Sequence, residues 1–173
     1  MRHPTADLIR DIPDFPKPGI VFKDITPVLA DAIALESVVE DMAAPYLASG
    51  VTHVVGIEAR GFILATPVAR RLGAGFIPIR KPGKLPYSTN SVLYDLEYGT
   101  DQLEIHVDAL GPGDRVVLVD DVIATGGTAR AAIELLAGLD VEVVAMAVYV
   151  ELSFLEGRHV LDGLPLHALV AYG

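Results

Sequence analysis

The spacing of apolar residues along the chain predicts alternating helices and strands. Three stripes recur at helical spacing, and each predicts a helix with one apolar face. In chain order the stripes are Leu35, Val38, Val39, Met42 and Tyr46; Leu64, Val68 and Leu72; and Ala132, Leu135, Leu136 and Leu139. Pro67 interrupts the second stripe, which predicts either a late helix start capped by Thr66 or a kinked helix.

Continuous apolar runs between the stripes predict strands that are buried on both faces, as in a parallel sheet. These runs are His53 to Ile57, Phe76 to Arg80, Val116 to Val119 and Val143 to Val150. Strands that alternate with helices favour an α/β fold with a mostly parallel central sheet flanked by helices.

Two segments depart from this alternation. Residues 81–107 begin with prolines, glycines and hydroxyl residues, which predicts a long flexible loop that ends in a hairpin through Leu103 to Val107. Residues 1–34 contain the proline-rich stretch from Pro13 to Gly19, which predicts an irregular arm. No linker or repeat divides the chain, so we expect one domain over residues 1–173.

Composition narrows the functional classes. The chain lacks cysteine, has no apolar leader in Met1 to Arg10, and has no apolar run near the ~18 residues that span a bilayer. We therefore expect a cytoplasmic protein with no membrane partner. A net charge of -10 argues against nucleic acid as a partner, because such proteins present a basic face.

The charges are unevenly distributed. Six of the thirteen basic residues and no acid lie between Ala59 and Tyr94, whereas eight acids and only Arg115 lie between Asp95 and Asp121. A small polyanionic ligand would use both segments. The basic residues would bind its negative charges directly, and a metal ion would link it to the acidic residues.

The most informative stretch is Val116 to Thr128, which reads V-V-L-V-D-D-V-I-A-T-G-G-T. The paired glycines allow close main-chain approach, and the threonines and free N–H groups of the following helix donate to an anion. This loop predicts a phosphate site. Asp120 and Asp121 would repel a phosphate unless they bind hydroxyl groups or a metal ion, and ribose hydroxyls with Mg²⁺ satisfy both requirements.

This stretch resembles the 5-phosphoribosyl-1-pyrophosphate (PRPP) motif of the type I phosphoribosyltransferases. The resemblance implies that both acids face the ribose 2- and 3-hydroxyls, with Mg²⁺ held mainly through PRPP and with Asp120 and Asp121 as its candidate ligands. It implies that the 5-phosphate is bound by Ala124, Thr125, Gly126, Gly127 and Thr128. It also implies the family's parallel core, flexible hairpin loop, small N-terminal hood and homodimer.

Two basic segments are candidates for the pyrophosphate part of PRPP. Ile57 to Gly61 follows a predicted strand, and its N–H groups and Arg60 are placed to cradle pyrophosphate, although an ordinary turn with a surface Glu-Arg pair is the alternative. It resembles the family's pyrophosphate loop. Arg80 to Pro86 brings three cations beside prolines and a glycine. This pattern predicts PRPP contacts from Arg80 and Lys84 on a closing lid, although a plain basic loop is the alternative.

Four motifs occur in the order found in the adenine-specific members of the family: residues 15–27, 58–62, 80–86 and 94–99. The resemblance implies that Phe22 stacks on adenine while the main chain of Val21 and Lys23 reads its edge. Lys23 stands where many members carry arginine. It further implies that Glu97, beside Tyr98 on the closing loop, accepts or relays the proton of the base.

The implied reaction converts adenine and PRPP to AMP and pyrophosphate with Mg²⁺, in purine salvage. One alternative is a hypoxanthine, guanine or xanthine enzyme of the same fold, which usually carries a late lysine, whereas no lysine follows Arg130 here. The other is a non-enzymatic PRPP-binding regulator. Such a regulator should carry a basic face or a helix-turn-helix, and the sequence shows neither.

Overall fold

The computed structural model describes residues 3–96 and 99–173, so Glu97 and Tyr98 lie outside the described residues. The elements of the first half are β1 (Arg10–Pro13), β2 (Val21–Asp24), α1 (Thr26–Ala30), α2 (Ala32–Ala43), β3 (His53–Ile57), α3 (Gly61–Leu72) and β4 (Gly75–Ile79). Those of the second half are β5 (Thr89–Leu96), β6 (Gly99–His106), β7 (Arg115–Ile123), α4 (Gly127–Ala137), β8 (Glu142–Leu152) and β9 (Leu166–Tyr172).

A five-stranded sheet in the order β4-β3-β7-β8-β9 forms the centre of the fold, and all of its strand pairs are parallel. Side chains of β7 alternate between two cores, with Val117 and Val119 on the face that packs against α2 and α3. Val116 and Leu118 point to the opposite face, which packs against α4 and the β5–β6 hairpin. The predicted α/β class is confirmed, because both faces of the sheet are buried.

The strand order reverses between β3 and β7. The chain leaves β3 toward β4 on one side, and it leaves β7 toward β8 on the other. In open α/β sheets, ligands bind at the carboxyl ends of the strands where the order reverses. Gly56 lies beside Val119, so the turn after β3 and the acids Asp120 and Asp121 meet at this point.

Helix α3 contains Pro67 and nevertheless runs without a break from Gly61 to Leu72. The late start at Thr66 was therefore wrong. The Thr66 hydroxyl donates to the carbonyl of Phe62 at 2.8 Å within the same helix. Packing of Leu64, among other buried residues, against the sheet outweighs the local cost of the proline.

Two antiparallel hairpins lie outside the main sheet, and the sequence predicted neither in full. The Pro13–Gly19 arm is the connection between β1 and β2, which pair with each other. Within residues 81–107, the hairpin begins earlier in the sequence than predicted, because β5 pairs with β6 from Thr89 onward. Val92 and Tyr94 pack against the second core, which stabilises this strand despite the polar residues beside them.

Strand β9, which forms the edge of the sheet beside β8, was also not predicted from the sequence. The N-terminal segment packs on the same side of the molecule as α2, where the hydroxyls of Thr5 and fully buried Tyr149 lie 2.7 Å apart. Among the described residues, no helix is both long and apolar enough to cross a membrane.

Candidate active site

A cleft of about 460 Å³ opens at the carboxyl edge of the sheet. Three segments that are distant in sequence form most of its wall: Ile20 to Lys23, Glu58 to Arg60, and the segment that contributes Asp120 to Val122, Ala124 and Thr128. Lys81, Leu152 and Leu155 complete it. The structure thus brings the predicted base-binding arm, the predicted pyrophosphate turn and the predicted ribose acids into a single cavity.

The paired acids lie at the floor of this cleft. Asp121 is only 5% exposed, and its carboxylate accepts a hydrogen bond from Nε of Arg60. Asp120 accepts a 2.9 Å hydrogen bond from the main-chain N–H of Asp121. Burial first, and the neighbouring Asp121 charge second, raise the pKa of Asp120 well above its ordinary value of 3.8. Two carboxylates held this closely favour cationic or hydroxyl ligands.

Helix α3 begins directly against these acids. A Cβ atom on Gly61 would lie 2.8 Å from Oδ1 of Asp120 and 3.1 Å from the carbonyl oxygen of Val119. Both separations are shorter than ordinary contacts, so only glycine fits between α3 and β7 here. The close approach fixes the position of Asp120.

The predicted phosphate loop surrounds a second, smaller cavity of about 110 Å³. Asp120, Val122, Ala124 and Thr128 line both cavities, so the two adjoin each other. Gly126 has a φ of 81°, and α4 begins at the next residue. The free N–H groups of the first turn of α4 therefore face the loop, an arrangement that favours an anion.

Aromatic and cationic groups form the opposite wall. The half-buried ring of Phe22 packs edge-on against Phe15, with ring centroids 5.2 Å apart. The guanidinium carbon of Arg60 lies 5.4 Å from the Phe22 ring centroid. Lys23 turns its ammonium elsewhere, because its Nζ donates to Asp11 at 2.7 Å and lies 4.0 Å from the Tyr172 ring. Any contact of Lys23 with a ligand in the cleft is therefore left to its main chain.

Glu58 forms hydrogen bonds and ion pairs with the basic segment that follows β4. Its carboxylate accepts hydrogen bonds from Nε of Arg80 at 3.1 Å and from the N–H of Lys81 at 2.9 Å. Nζ of Lys84 lies 3.6 Å away. Burial opposes ionisation of Glu58, but the hydrogen bonds from Lys81 and Arg80 outweigh it and lower the pKa of Glu58. Arg80 and Lys84 thus lie at the rim of the cleft, paired with an acid.

Lys81 is the cation of this segment that lines the cleft itself. Its ammonium donates to the Asp101 carboxylate and, at 2.9 Å, to the Tyr94 hydroxyl, both on the β5–β6 hairpin. Although burial opposes it, the hydrogen bond to Asp101 raises the pKa of Lys81. Lys81 therefore connects the cleft to the hairpin.

Sequence reasoning missed several residues of the wall. Leu152 is the last residue of β8, and Leu155 lies three residues later. The carboxyl end of β8 lies at the same edge of the sheet as that of β7, and this position was the signal that pointed to these residues. Neither side chain has a polar group that would have marked it. The predicted Glu97 and Tyr98 lie outside the described residues.

Comparison with known families agrees with this geometry. A family model described as the phosphoribosyl transferase domain matches residues 29–158. That range spans the turn after β3, the basic segment, the hairpin and the phosphate loop. The fold and the site therefore define a phosphoribosyltransferase.

Comparison with individual relatives shows which members of this class the chain resembles. The adenine phosphoribosyltransferase of Methylococcus capsulatus is 55% identical over 164 residues, which cover 95% of this chain and 96% of the relative. The crystal structure of the Rhodothermus marinus adenine phosphoribosyltransferase superposes with a TM-score of 0.92 at 51% identity, covering 96% of this chain and 95% of that one. The Saccharomyces cerevisiae enzyme, crystallised with an imino-altritol bisphosphate and adenine, gives a TM-score of 0.89 at 35% identity and 94% coverage of both chains. The chain belongs to the adenine phosphoribosyltransferase family.

Proposed function

We propose that this chain transfers the 5-phosphoribosyl group of PRPP to adenine, releasing AMP and pyrophosphate. The observation that carries the proposal is that one cleft brings Phe22 together with the acids Asp120 and Asp121, and that the phosphate loop lines an adjoining cavity whose wall includes Asp120 and Thr128 of the same cleft. Family membership and the names of the relatives support the same reaction. A base, a ribose and its 5-phosphate fit this order of aromatic, acidic and N–H-rich surfaces.

In this proposal adenine occupies the wall formed by the N-terminal arm. Its ring stacks on Phe22, and the main chain of Val21 and Lys23 reads its hydrogen-bonding edge. The apolar side chains of Leu152 and Leu155, which line the same cleft, limit water around the base. Residues 1–34 serve as a hood that brings this wall over the ribose site.

The ribose and its phosphate occupy the floor. Asp120 and Asp121 accept hydrogen bonds from the ribose hydroxyls, while residues 124–128 bind the 5-phosphate through N–H and hydroxyl donors. Asp121 is paired with Arg60 in this structure. Pyrophosphate attracts the same guanidinium, so binding of PRPP would draw Arg60 toward the leaving group and release Asp121 for the sugar.

The leaving group needs cations because negative charge accumulates on it as the bond to ribose breaks. Arg60 and Lys81 lie in the cleft wall, and Arg80 and Lys84 lie at its rim. Glu58 keeps these two rim cations close to the site without filling it. We assign pyrophosphate binding to this group, with Arg80 and Lys84 turning from Glu58 to the ligand.

The residues of the site fit Mg²⁺ only in company with the substrate. The described residues contain no group of three or more histidine, cysteine or acid side chains that would hold a metal. Asp120 and Asp121 offer two carboxylates, and Mg²⁺ in nucleotide sites is often bound through one or two carboxylates plus phosphate oxygens. These acids would hold the ion mainly through PRPP, and the bound ion would neutralise part of the pyrophosphate charge.

Glu97 is proposed as the group that accepts or relays the proton of adenine, on a loop within residues 81–107 that closes over the substrates together with Tyr98. Closure would exclude water, which otherwise hydrolyses the activated sugar. The Lys81 contacts with Tyr94 and Asp101 support this part of the proposal, since they connect the cleft to the hairpin that carries the loop.

We also propose that the protein is a cytoplasmic homodimer. Sedimentation of the active protein tests its assembly.

Initial rates with PRPP and Mg²⁺ test the proposed function. We expect AMP and pyrophosphate in equal amounts, and only when adenine and PRPP are both present. Phe22→Leu should raise the KM for adenine, because it removes the stacking ring while it keeps an apolar side chain. Phe154→Leu is the matched control, since Phe154 is 61% exposed and is absent from the described lining of the cleft. Pyrophosphate release without AMP would contradict the proposal.

A further inference from the structure

Residues 153–161, here called the clamp segment, form the first part of the connection from β8 to β9 and lie against the phosphate loop. A Cβ atom on Gly157 would lie only 2.1 Å from the carbonyl oxygen of Ala124. A Cβ atom on Gly126 would lie 2.4 Å from Cγ2 of Val160 and 2.6 Å from the carbonyl oxygen of Gly157. The two stretches are therefore in direct main-chain contact, and neither glycine tolerates a side chain. The position of the clamp segment limits where the phosphate loop can lie.

The same segment also reaches the base side of the site, because Leu155 lines the main cleft. One connection between strands thus touches both ends of the proposed substrate. The backbone of the clamp segment is strained. Glu156 and Asp162 bracket the 3-10 turn Gly157–Leu161 with φ values of 56° and 50°, a region that non-glycine residues rarely adopt. The segment therefore needs contacts outside itself to hold it.

Arg158 supplies such a contact. Its Nε donates to Oε1 of Glu151 at 3.0 Å and its Nη2 donates to Oε2 at 2.7 Å, which makes the pair bidentate. A third hydrogen bond runs from Nη1 to the carbonyl of Leu166 at 3.2 Å. Arg158 thereby joins the clamp segment to both β8 and β9.

Glu151 is a buried partner that fixes the position of Arg158. It is only 7% exposed, and it lies beside Ile123 in the register of β7 and β8, one residue before the phosphate loop begins. Exposed ion pairs contribute little to a structure, but this pair has a buried carboxylate and fork geometry that lysine does not reproduce. Arg158 itself is absent from the described linings of both cavities.

We propose that Arg158 is a positioning residue for the 5-phosphate site: by pairing with Glu151 it holds the clamp segment against the phosphate loop and keeps that loop ready for PRPP. The inference rests on the proposed function, because it assigns a consequence to a loop that binds the ribose phosphate. A preformed loop loses less conformational freedom when the ligand binds. Loss of the pair should therefore weaken phosphate binding more than it slows the chemical step.

The test compares Arg158→Met and Arg158→Lys with Arg115→Met. Arg115 also pairs with a β8 glutamate, Glu142, but this pair lies at the opposite ends of β7 and β8. We would measure the Kd for ribose 5-phosphate and for PRPP by calorimetry, kcat and KM in the adenine assay, and the melting temperature of each variant.

Arg158→Met should raise the Kd for ribose 5-phosphate and the KM for PRPP by about tenfold, a shift of the size that follows when a bidentate charged pair is lost. Arg158→Lys should show a smaller rise, and it decides the question if the methionine variant fails to fold. Arg115→Met should leave both values unchanged. Unchanged phosphate affinity in the Arg158 variants, or an equal rise in the Arg115 control, would overturn the inference. Wild-type protein that binds neither ligand would instead overturn the proposed function.

Discussion

Replacement of Gly61 by alanine is expected to displace Asp120 without removing any charged or polar group from the site. The added methyl would lie 2.8 Å from Oδ1 of Asp120, and ordinary contacts begin at 3.4 Å, so the carboxylate must retreat by roughly 0.6 Å. The carbonyl of Val119 at 3.1 Å and Cα of Asp120 at 3.2 Å restrict the other directions of relief. The acid would then miss its place beside the ribose hydroxyl.

The magnitude follows from the hydrogen bond that is lost. A hydrogen bond to a charged group contributes about 1.5–3 kcal/mol, so we expect the Kd for PRPP to rise by about 10- to 100-fold. Stability should change less. Overpacking costs about 1–3 kcal/mol, while the higher helix propensity of alanine offsets up to about 1 kcal/mol of it.

Calorimetry with PRPP and thermal unfolding measure the two effects separately. Gly138→Ala is the matched control, because Gly138 is the C-cap residue after α4, with a φ of -71°, and its Cβ would lie at an ordinary 3.5 Å from the carbonyl oxygen of Leu135. The control should keep the wild-type affinity for PRPP. If Gly61→Ala binds PRPP within twofold of wild type, then Asp120 is not a ligand of the ribose and the assignment of the acids is wrong.

Four further predictions concern PRPP binding, its pH dependence, catalysis and stability. Asp120→Asn with Asp121→Asn should raise the Kd for PRPP at least about tenfold with an unchanged circular dichroism spectrum. Because burial raises the pKa of Asp120, its carboxylate becomes protonated at a pH above the ordinary value of 3.8, and the neutral acid accepts weaker hydrogen bonds than the carboxylate. Acidification through this range should therefore lower the affinity for PRPP, measured relative to Asp120→Asn at each pH. Glu97→Ala should lower kcat far more than PRPP affinity, and wild-type turnover in this variant, with Glu97→Gln as the isosteric comparison, would exclude a role in proton transfer. Tyr149→Phe removes the hydroxyl that meets Thr5, so it should cost about 1 kcal/mol of unfolding free energy and leave the KM for PRPP unchanged.

The backbone conformation around the predicted phosphate loop could be predicted because its signal is local. Thirteen consecutive residues specify a buried strand, a pair of acids, a glycine turn and a helix start, and the structure places them in that order. The opposing turn at Glu58 to Arg60 was predictable for the same reason, since it follows a buried apolar strand. A parallel sheet then brings the carboxyl ends of β3 and β7 together without further information.

Side-chain directions were not predictable, because partners distant in sequence decide them. Lys23 turns to Asp11 because β1 pairs with β2, and neither strand was predicted from the sequence. Arg80 lies at the rim because its main chain bridges Glu104 on the hairpin and its side chain pairs with Glu58. Lys81, the next residue, consequently enters the cleft wall.

Competition between bases tests most directly whether this cleft transfers the 5-phosphoribosyl group of PRPP to adenine with release of pyrophosphate. Wild-type protein would be incubated with limiting PRPP, Mg²⁺ and equal concentrations of adenine, hypoxanthine and guanine, and the nucleotides separated by chromatography. We predict that AMP is by far the main product, with pyrophosphate in equal amount. A product mixture dominated by IMP or GMP, or the absence of any nucleotide, would contradict the account.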